Sequence, residues 1–217
     1  MKLYRFRYSP FARKVQMLLD LLGRSYELVE VPYGDRNELA TLTGGYVYVP
    51  VLVDDAGLVT VESRAICERL LNDGGSTLVP PPLEGPIWGY HDFCDGPLED
   101  VMFRIGSPHV RDAWPTPGER ALYVLVKERK FGPGCVDAWQ RDQGALLAKA
   151  RALLEPTITT LRQTAFLFGD APTLADAALY GNCIMLEGAS PGLLAKLSPE
   201  LTDYTRRLEA KARRPAS

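Results

Sequence analysis

Three short stretches of the 217-residue chain carry groups that could do chemistry at the spacing they have. In "YSPFARKV" (8–15), Ser9 precedes Pro10, and proline suits the first helical position because its missing N–H costs nothing there. Ser9 is thus an N-cap, and the same hydroxyl, beside the positive end of a helix, can donate a hydrogen bond to a thiolate held above it. Cap alone and cap plus donor both remain open for this residue. In "VPVL" (49–52), a cis Val49–Pro50 bond would turn the Val49 N–H and C=O outward as a backbone pair for an extended peptide, whereas a trans proline would only mark a strand edge. Glu62 and Ser63 stand between a strand and a helix. The Ser63 N–H could take a carboxylate and Glu62 an ammonium, or the pair could simply complement the helix dipole.

The elements that must position these groups follow from periodicity. Residues 2–7, "KLYRFR", predict a first strand, and Phe11, Val15, Leu18, Leu19 and Leu22 form a helix face that Gly23 ends. "YELVEV" (26–31) resumes strand character, so the helix between the strands favours a parallel βαβ unit. After an irregular stretch, "VPVLVD" (49–54) and "LVTV" (58–61) read as a hairpin about Asp55-Ala56-Gly57, and "ESRAICERLL" (62–71) as a helix. This is a βαβ-ββα order. It places Ser9 in a βα turn at the carboxyl end of a strand, where open α/β sheets bind ligands.

Residues 72–86, "NDGGSTLVPPPLEGP", concentrate Gly and Pro and predict a linker. Beyond it the periodicity is helical, clearest over Trp139, Leu146, Leu147, Ala150, Leu153, Leu154, Ile158 and Leu161, and Pro156 should kink or divide that helix. Residues 105–118, "IGSPHVRDAWPTPG", read as a loop with Trp114 exposed. The expected architecture is therefore α/β plus all-α: a sheet domain over 1–75, a linker over 76–85 and an all-helical domain over 86–217.

With 27 acidic against 25 basic residues, 46% hydrophobic and 24% charged, the chain has a globular balance that exerts no pull on nucleic acid or anionic membrane. Cys67, Cys94, Cys135 and Cys183 form no C-x-x-C pair, so neither a disulfide framework nor structural zinc is expected, and reduced thiols in a cytoplasm fit better. His91 and Cys94 have ligand-like spacing, but two histidines and no second pair supply too few ligands for a metal. No signal peptide or spanning helix is expected. The basic tail "RRLEAKARR" reads as a solvated helix end.

Taken together, a thiolate donor, an outward backbone pair and a clamp for carboxylate and ammonium suit a small zwitterionic peptide with a central thiol, and glutathione is that molecule. At this point "YSPFARKV", "VPVL" and "ESRAICERL" resemble the N-terminal thioredoxin-like domain of the cytosolic glutathione transferase superfamily. "FLFGDAPTLADAAL", in which Thr173 and Asp176 form a Thr-x-x-Asp capping box, is similar to a helix entry of that superfamily's C-terminal domain. The resemblance implies Ser9 as the catalytic, thiolate-stabilising residue of a serine-type class. Omega-like classes carry Cys-Pro-Phe-Ala where this chain has Ser-Pro-Phe-Ala. A serine can only hydrogen-bond the sulfur, which favours conjugation or isomerisation over disulfide exchange. Tyr8 and Tyr4 are the tyrosines that could supply the hydroxyl instead.

The resemblance further implies glutathione as co-substrate, bound by Val49, Pro50, Glu62 and Ser63, no metal, and a homodimer. A small electrophile would lie over Ser9 between the domains, against Phe11, Phe103 and Trp114. Where many members carry an Asn-Pro-x-Gly-Lys-like run, this chain has "LTGGYVYVP", so Arg36 or Asn37 is left to hold the glycine carboxylate, with Tyr46 and Tyr48 offering hydroxyls. The other function open at this stage is a non-catalytic member that keeps the fold as a binding or assembly module.

Overall fold

The computed structural model describes residues 1–72 and 77–212. Strand β1 (Lys2–Arg5) turns into helix α1 (Pro10–Leu21), and β2 (Glu27–Glu30) returns parallel to β1 with Leu3 beside Leu28. Val15, Leu18 and Leu19 bury the inner face of α1 completely, and Gly23 at φ 64° turns the chain after it. Strands β3 (Val51–Val53) and β4 (Val59–Val61) form an antiparallel hairpin. The Asp54 carboxylate closes its turn by accepting from the Ala56 and Leu58 N–H groups, and Gly57 takes φ 82°. Helix α3 (Ser63–Asn72) follows, giving a mixed sheet in the order β2-β1-β3-β4.

The expected βαβ-ββα order gains one element, the helix α2 (Asn37–Thr43), in the stretch the sequence left irregular. Leu39 is its single buried side chain, packed with Tyr4, Val31 and Val51 in a small core of its own. Seven residues with one buried leucine show no 3.6-residue periodicity, which is why the pattern missed it.

Residues 73–76 of the Gly/Pro-rich segment, and with them the expected domain boundary at 75, lie outside the described residues. The rest of that segment is less open than a linker: Pro81–Leu83 form a 3-10 turn and α4 (Glu84–Phe93) already starts at Glu84. A π-helical turn over Cys94–Leu98 carries α4 into α5 (Glu99–Ala113), followed by α6 (Pro117–Phe131), α7 (Cys135–Arg141) and α8 (Gln143–Leu161). Helices α9 (Leu174–Ala189), α10 (Leu193–Leu197) and α11 (Pro199–Lys211) complete the fold. The last residues of the basic tail, 213 and 214, lie outside the described residues.

Two proline expectations need correction. The 105–118 segment is not a loop: α5 runs through Pro108 to Ala113, because Val101, Met102, Ile105 and Val110 bury a continuous helix face worth more than the roughly 3 kcal/mol an interior proline costs. Pro156 does not divide α8 either. Its missing N–H would have bonded the Ala152 carbonyl, and both residues are exposed, so water can serve that carbonyl.

One continuous core joins the two halves, running from Leu3, Leu18 and Ile66 to Met102, Leu154 and Leu186. Its seam is α1 against α9, the most extensive helix pair in the molecule. The backbones approach so closely there that a Cβ on Gly181 would stand 2.3 Å from the Pro10 carbonyl oxygen. The Thr173–Asp176 capping box opens α9 as the sequence indicated, with Asp176 accepting from the Thr173 N–H and hydroxyl, each at 2.8 Å. No described helix is long and apolar enough to cross a membrane.

Candidate active site

Ser9 ends the β1–α1 turn with its N–H donating to the Phe6 carbonyl at 2.8 Å and its Oγ accepting from the Ala12 N–H at 3.2 Å. It is 9% exposed and opens into a cleft between the sheet half and the helical half. The cavity within the cleft is about 190 Å³, and the cleft opens to solvent beyond that. The sheet half contributes the segments around Ser9, Arg36 and Val49. The helical half contributes Glu99, Phe103, Ser107 and Val110, one stripe along α5, with Tyr123 and Lys127 of α6 and Met185 of α9.

An oxygen that only accepts from Ala12 keeps its own proton to donate, so Ser9 can cap α1 and face a ligand atom together. Tyr8 also lines the cleft, while Tyr4 is buried in the small core with Leu39 and so offers no hydroxyl here. The Val49–Pro50 bond is cis, and Val49 lines the same wall as Tyr48.

Glu62 and Ser63 do not line this cleft. Ser63 is buried at the first position of α3, where its N–H has no acceptor within the helix. Glu62 has φ 68°, a left-handed conformation that costs a non-glycine residue on the order of 1–3 kcal/mol. Its carboxylate accepts from the Tyr46 hydroxyl at 2.9 Å, and the Tyr46 ring meets Tyr48, which does line the cleft, at 5.5 Å. Asn37 does not line the cleft; its backbone N–H donates to the Asp35 carboxylate at 3.0 Å.

Of the three residues expected to hold the electrophile, Phe11 and Phe103 line the cleft and Trp114 does not. Trp114 is half-buried rather than exposed, its ring stacked on Phe6 at 5.7 Å, and it borders a neighbouring groove with Arg7 and Tyr33. The residues missed include Tyr33, Glu99, Ser107, Val110, Tyr123, Lys127 and Met185. Only the α5 stripe had a legible signal, since Glu99, Phe103, Ser107 and Val110 fall at helical spacing once 105–113 is read as helix.

The charged side chains of the cleft are Arg36, Glu99 and Lys127. Burial pushes the Glu99 carboxyl up to about 7, and burial, aided by Lys130, pushes the Lys127 ammonium down to about 8. Burial also lowers Arg36 and lifts the Tyr33 phenol to about 12. The His91 Nε2 meets the Lys14 ammonium at 2.9 Å and Cys94 is buried in the core. No cluster of metal-ligating side chains occurs among the described residues.

Comparison with known proteins agrees with this arrangement. Residues 3–76 match the family model for the glutathione S-transferase N-terminal domain, and residues 134–207 the one for the C-terminal domain. A probable glutathione S-transferase, BZ2 of Zea mays, is 29% identical over 133 residues, covering 52% of this chain and half the length of the maize protein. The fold is similar to glutathione transferase GSTFuA3 of Phanerochaete chrysosporium, with a TM-score of 0.81 at 17% identity, covering 99% of this chain and 98% of that one. It is also similar to glutaredoxin 2 of Salmonella typhimurium, crystallised with glutathione, with a TM-score of 0.70 at 20% identity, covering 97% and 98%. With both of its halves matched in order on a mixed sheet followed by a helical domain, the chain belongs to the glutathione S-transferase family.

Proposed function

We propose that the protein is a glutathione transferase in which residues 1–75 bind glutathione, 76–85 link, and 86–217 complete the site for a small electrophile. The observation that carries this reading is the Ser9 hydroxyl, an oxygen engaged by Ala12 whose proton is uncommitted at the edge of a cleft between the two halves. The thiol proton of bound glutathione passes to solvent, and the Ser9 O–H donates to the sulfur left behind. The thiolate then attacks an electrophilic carbon in the apolar part of the cleft, beside Phe11 and Phe103.

The energetics suffice. Lowering a thiol by about two units takes roughly 2.7 kcal/mol. One charge-assisted hydrogen bond contributes about 1.5–3 kcal/mol and the helix end about 0.3–1. Glutathione would lie along Val49 and Pro50 with its γ-glutamyl carboxylate at the Ser63 N–H and its ammonium at Glu62, whose left-handed backbone is the strain expected at a ligand clamp. Its glycine carboxylate would reach Arg36, the cation of the cleft on the sheet side.

Ser9→Ala and Ser9→Asp separate the roles of the hydroxyl. The alanine variant should lose about 1 kcal/mol of stability and raise the pKa of bound glutathione by about 1–2 units. The aspartate variant should keep the cap and still lose the activated thiol, because its carboxylate repels a thiolate. Thiolate ultraviolet absorbance against pH measures this directly. Identical titrations in wild type and both variants would make Ser9 a cap only and pass the activating role to Tyr8 or to no residue.

A further inference from the structure

Lys127 reaches the cleft from α6, and its ammonium stands over three aromatic rings, 4.7 Å from the centroid of Tyr123, 4.8 Å from Phe103 and 5.9 Å from Tyr33. Cation–π contacts keep an ammonium charged in a place where water is scarce, but they do not neutralise it. Among the described residues no carboxylate lies within ion-pair distance of Lys127. A charge held away from water without a counter-ion is costly, and the cost disappears when an anion arrives.

The other charged groups of the cleft point the same way. Arg36 adds a second cation, 5.6 Å from the face of the same Tyr33 ring, so Glu99 leaves the lining with an excess positive charge even when it is fully ionised. The Tyr33 hydroxyl is buried with no hydrogen-bond partner among the described residues, whereas the Tyr123 hydroxyl is taken up by Ser107 at 3.1 Å. Around this polar corner the wall is apolar, formed by Phe11, Phe103, Val110 and Met185.

We propose that the electrophile site is built for an aromatic acceptor that carries a carboxylate, with Lys127 binding the carboxylate and the Phe11–Phe103 wall holding the ring. This inference rests on the transferase chemistry proposed above. Lys127 belongs to the helical half, whereas every group assigned to glutathione lies in the sheet half; Arg36 and Lys127 meet at the Tyr33 ring, so the two carboxylates would be neighbours, each with its own cation. The groups facing Lys127 are Glu99 from α5, Lys130 on its own helix, Arg36 from the sheet half and Cys135 from α7. As pH rises through about 7 and then about 8, Glu99 gains a charge and Lys127 loses one, and both changes weaken the hold on a carboxylate.

A matched pair of acceptors tests this, 4-chloro-3,5-dinitrobenzoate and its neutral methyl ester. In each, the glutathione sulfur forms a bond to the chlorine-bearing carbon, the C–Cl bond breaks, and chloride leaves with the electron pair. Wild type should prefer the acid in kcat/KM, and the acid-to-ester ratio should fall as pH rises from 6.5 to 9, a comparison from which the titration of the thiol cancels. Lys127→Gln should lower that ratio about tenfold or more, mainly through KM of the acid, and Lys127→Arg should restore most of it. A merely structural role would depress both acceptors together and leave the ratio intact, which would overturn the proposal. So would weakened glutathione binding in Lys127→Gln with the ratio preserved, since Lys127 would then serve glutathione.

Calorimetric titration with 3,5-dinitrobenzoate and its methyl ester, neither carrying the chloride leaving group, keeps the two proposals apart. If neither chlorinated acceptor is conjugated and the benzoate still binds in a Lys127-dependent way, the transferase proposal falls and the carboxylate site stands. If the ester is conjugated and the benzoate binds no tighter than its ester, the carboxylate site falls alone.

Discussion

Gly181 is the position at which one methyl group should do the most damage for its size. A Cβ there would stand 2.3 Å from the Pro10 oxygen and 3.0 Å from the Lys14 nitrogen, one residue past the Ser9–Arg13 bond that opens α1. A carbon–oxygen contact settles at about 3.3 Å or more, so Gly181→Ala must move α1 and α9 apart by about 1 Å. Neither partner is a side chain that could swing aside. Overpacking of this kind costs about 1–3 kcal/mol, which for a chain of this length lowers the melting temperature by roughly 2–12 °C.

The same shift carries Ser9, the residue before Pro10, out of place. A 1 Å misplacement of a reacting group costs on the order of a hundredfold in rate, so turnover should fall by much more than the folded fraction does. Gly188→Ala is the control on the same helix: it is exposed, a Cβ there meets nothing within 4 Å, and alanine should add about 0.5–1 kcal/mol. Differential scanning calorimetry and glutathione conjugation rates for both variants decide the matter. Equal melting temperatures and rates for the two would mean that α1 and α9 do not meet as closely as the geometry requires.

The remaining expectations concern buried charge. Asp176 accepts from the Leu167 and Thr173 N–H groups and from the Thr173 and Tyr204 hydroxyls, so Asp176→Ala strands several buried donors and should cost about 3–5 kcal/mol by urea unfolding. His91, held below its ordinary pKa by burial and by Lys14, binds its proton less readily in the folded than in the unfolded chain. Its contribution to stability is therefore present above about pH 6.5 and lost as pH falls below that value, and Lys14→Met should flatten that loss in urea titrations between pH 5 and 7.5.

What the sequence made legible follows from where each signal resides. The cap at Ser9, the turn at Gly23, the Asp55–Gly57 hairpin and the Thr173–Asp176 box are local, each set by a few neighbouring residues, and each is where the sequence places it. The parallel pairing of β1 with β2 was also legible, because a helix between two strands leaves little choice. What failed was the weighing of local against tertiary preference. Pro108 and Pro156 argue locally against helix, and burial of the α5 face together with solvent at Ala152 overrules them. Lys127 had no sequence signal, since an exposed and a cleft-facing charge on a helix look alike until the partner elements are known.

That distinction also bears on the run "GGYVYV", which lacks the cation usual before the Val-Pro of the family. Tyr46 does not replace that cation, because its hydroxyl proton is directed at the Glu62 carboxylate, away from any ligand anion. Its effect is to hold the Glu62 side chain in register beside the left-handed backbone that places it. A cation reaches the cleft instead through Arg36, which enters from the turn ahead of α2 and is steadied by the Tyr33 carbonyl at 3.3 Å and by the Tyr33 ring. Helix α2 is thus more than a cover for the small core under the sheet. With Arg36 immediately before its first residue and Leu39 anchoring it against Tyr4 and Val51, it fixes the position of the one sheet-side cation in the cleft. A run without a cation before the Val-Pro and a charged cleft are therefore compatible, because the charge enters from a different segment.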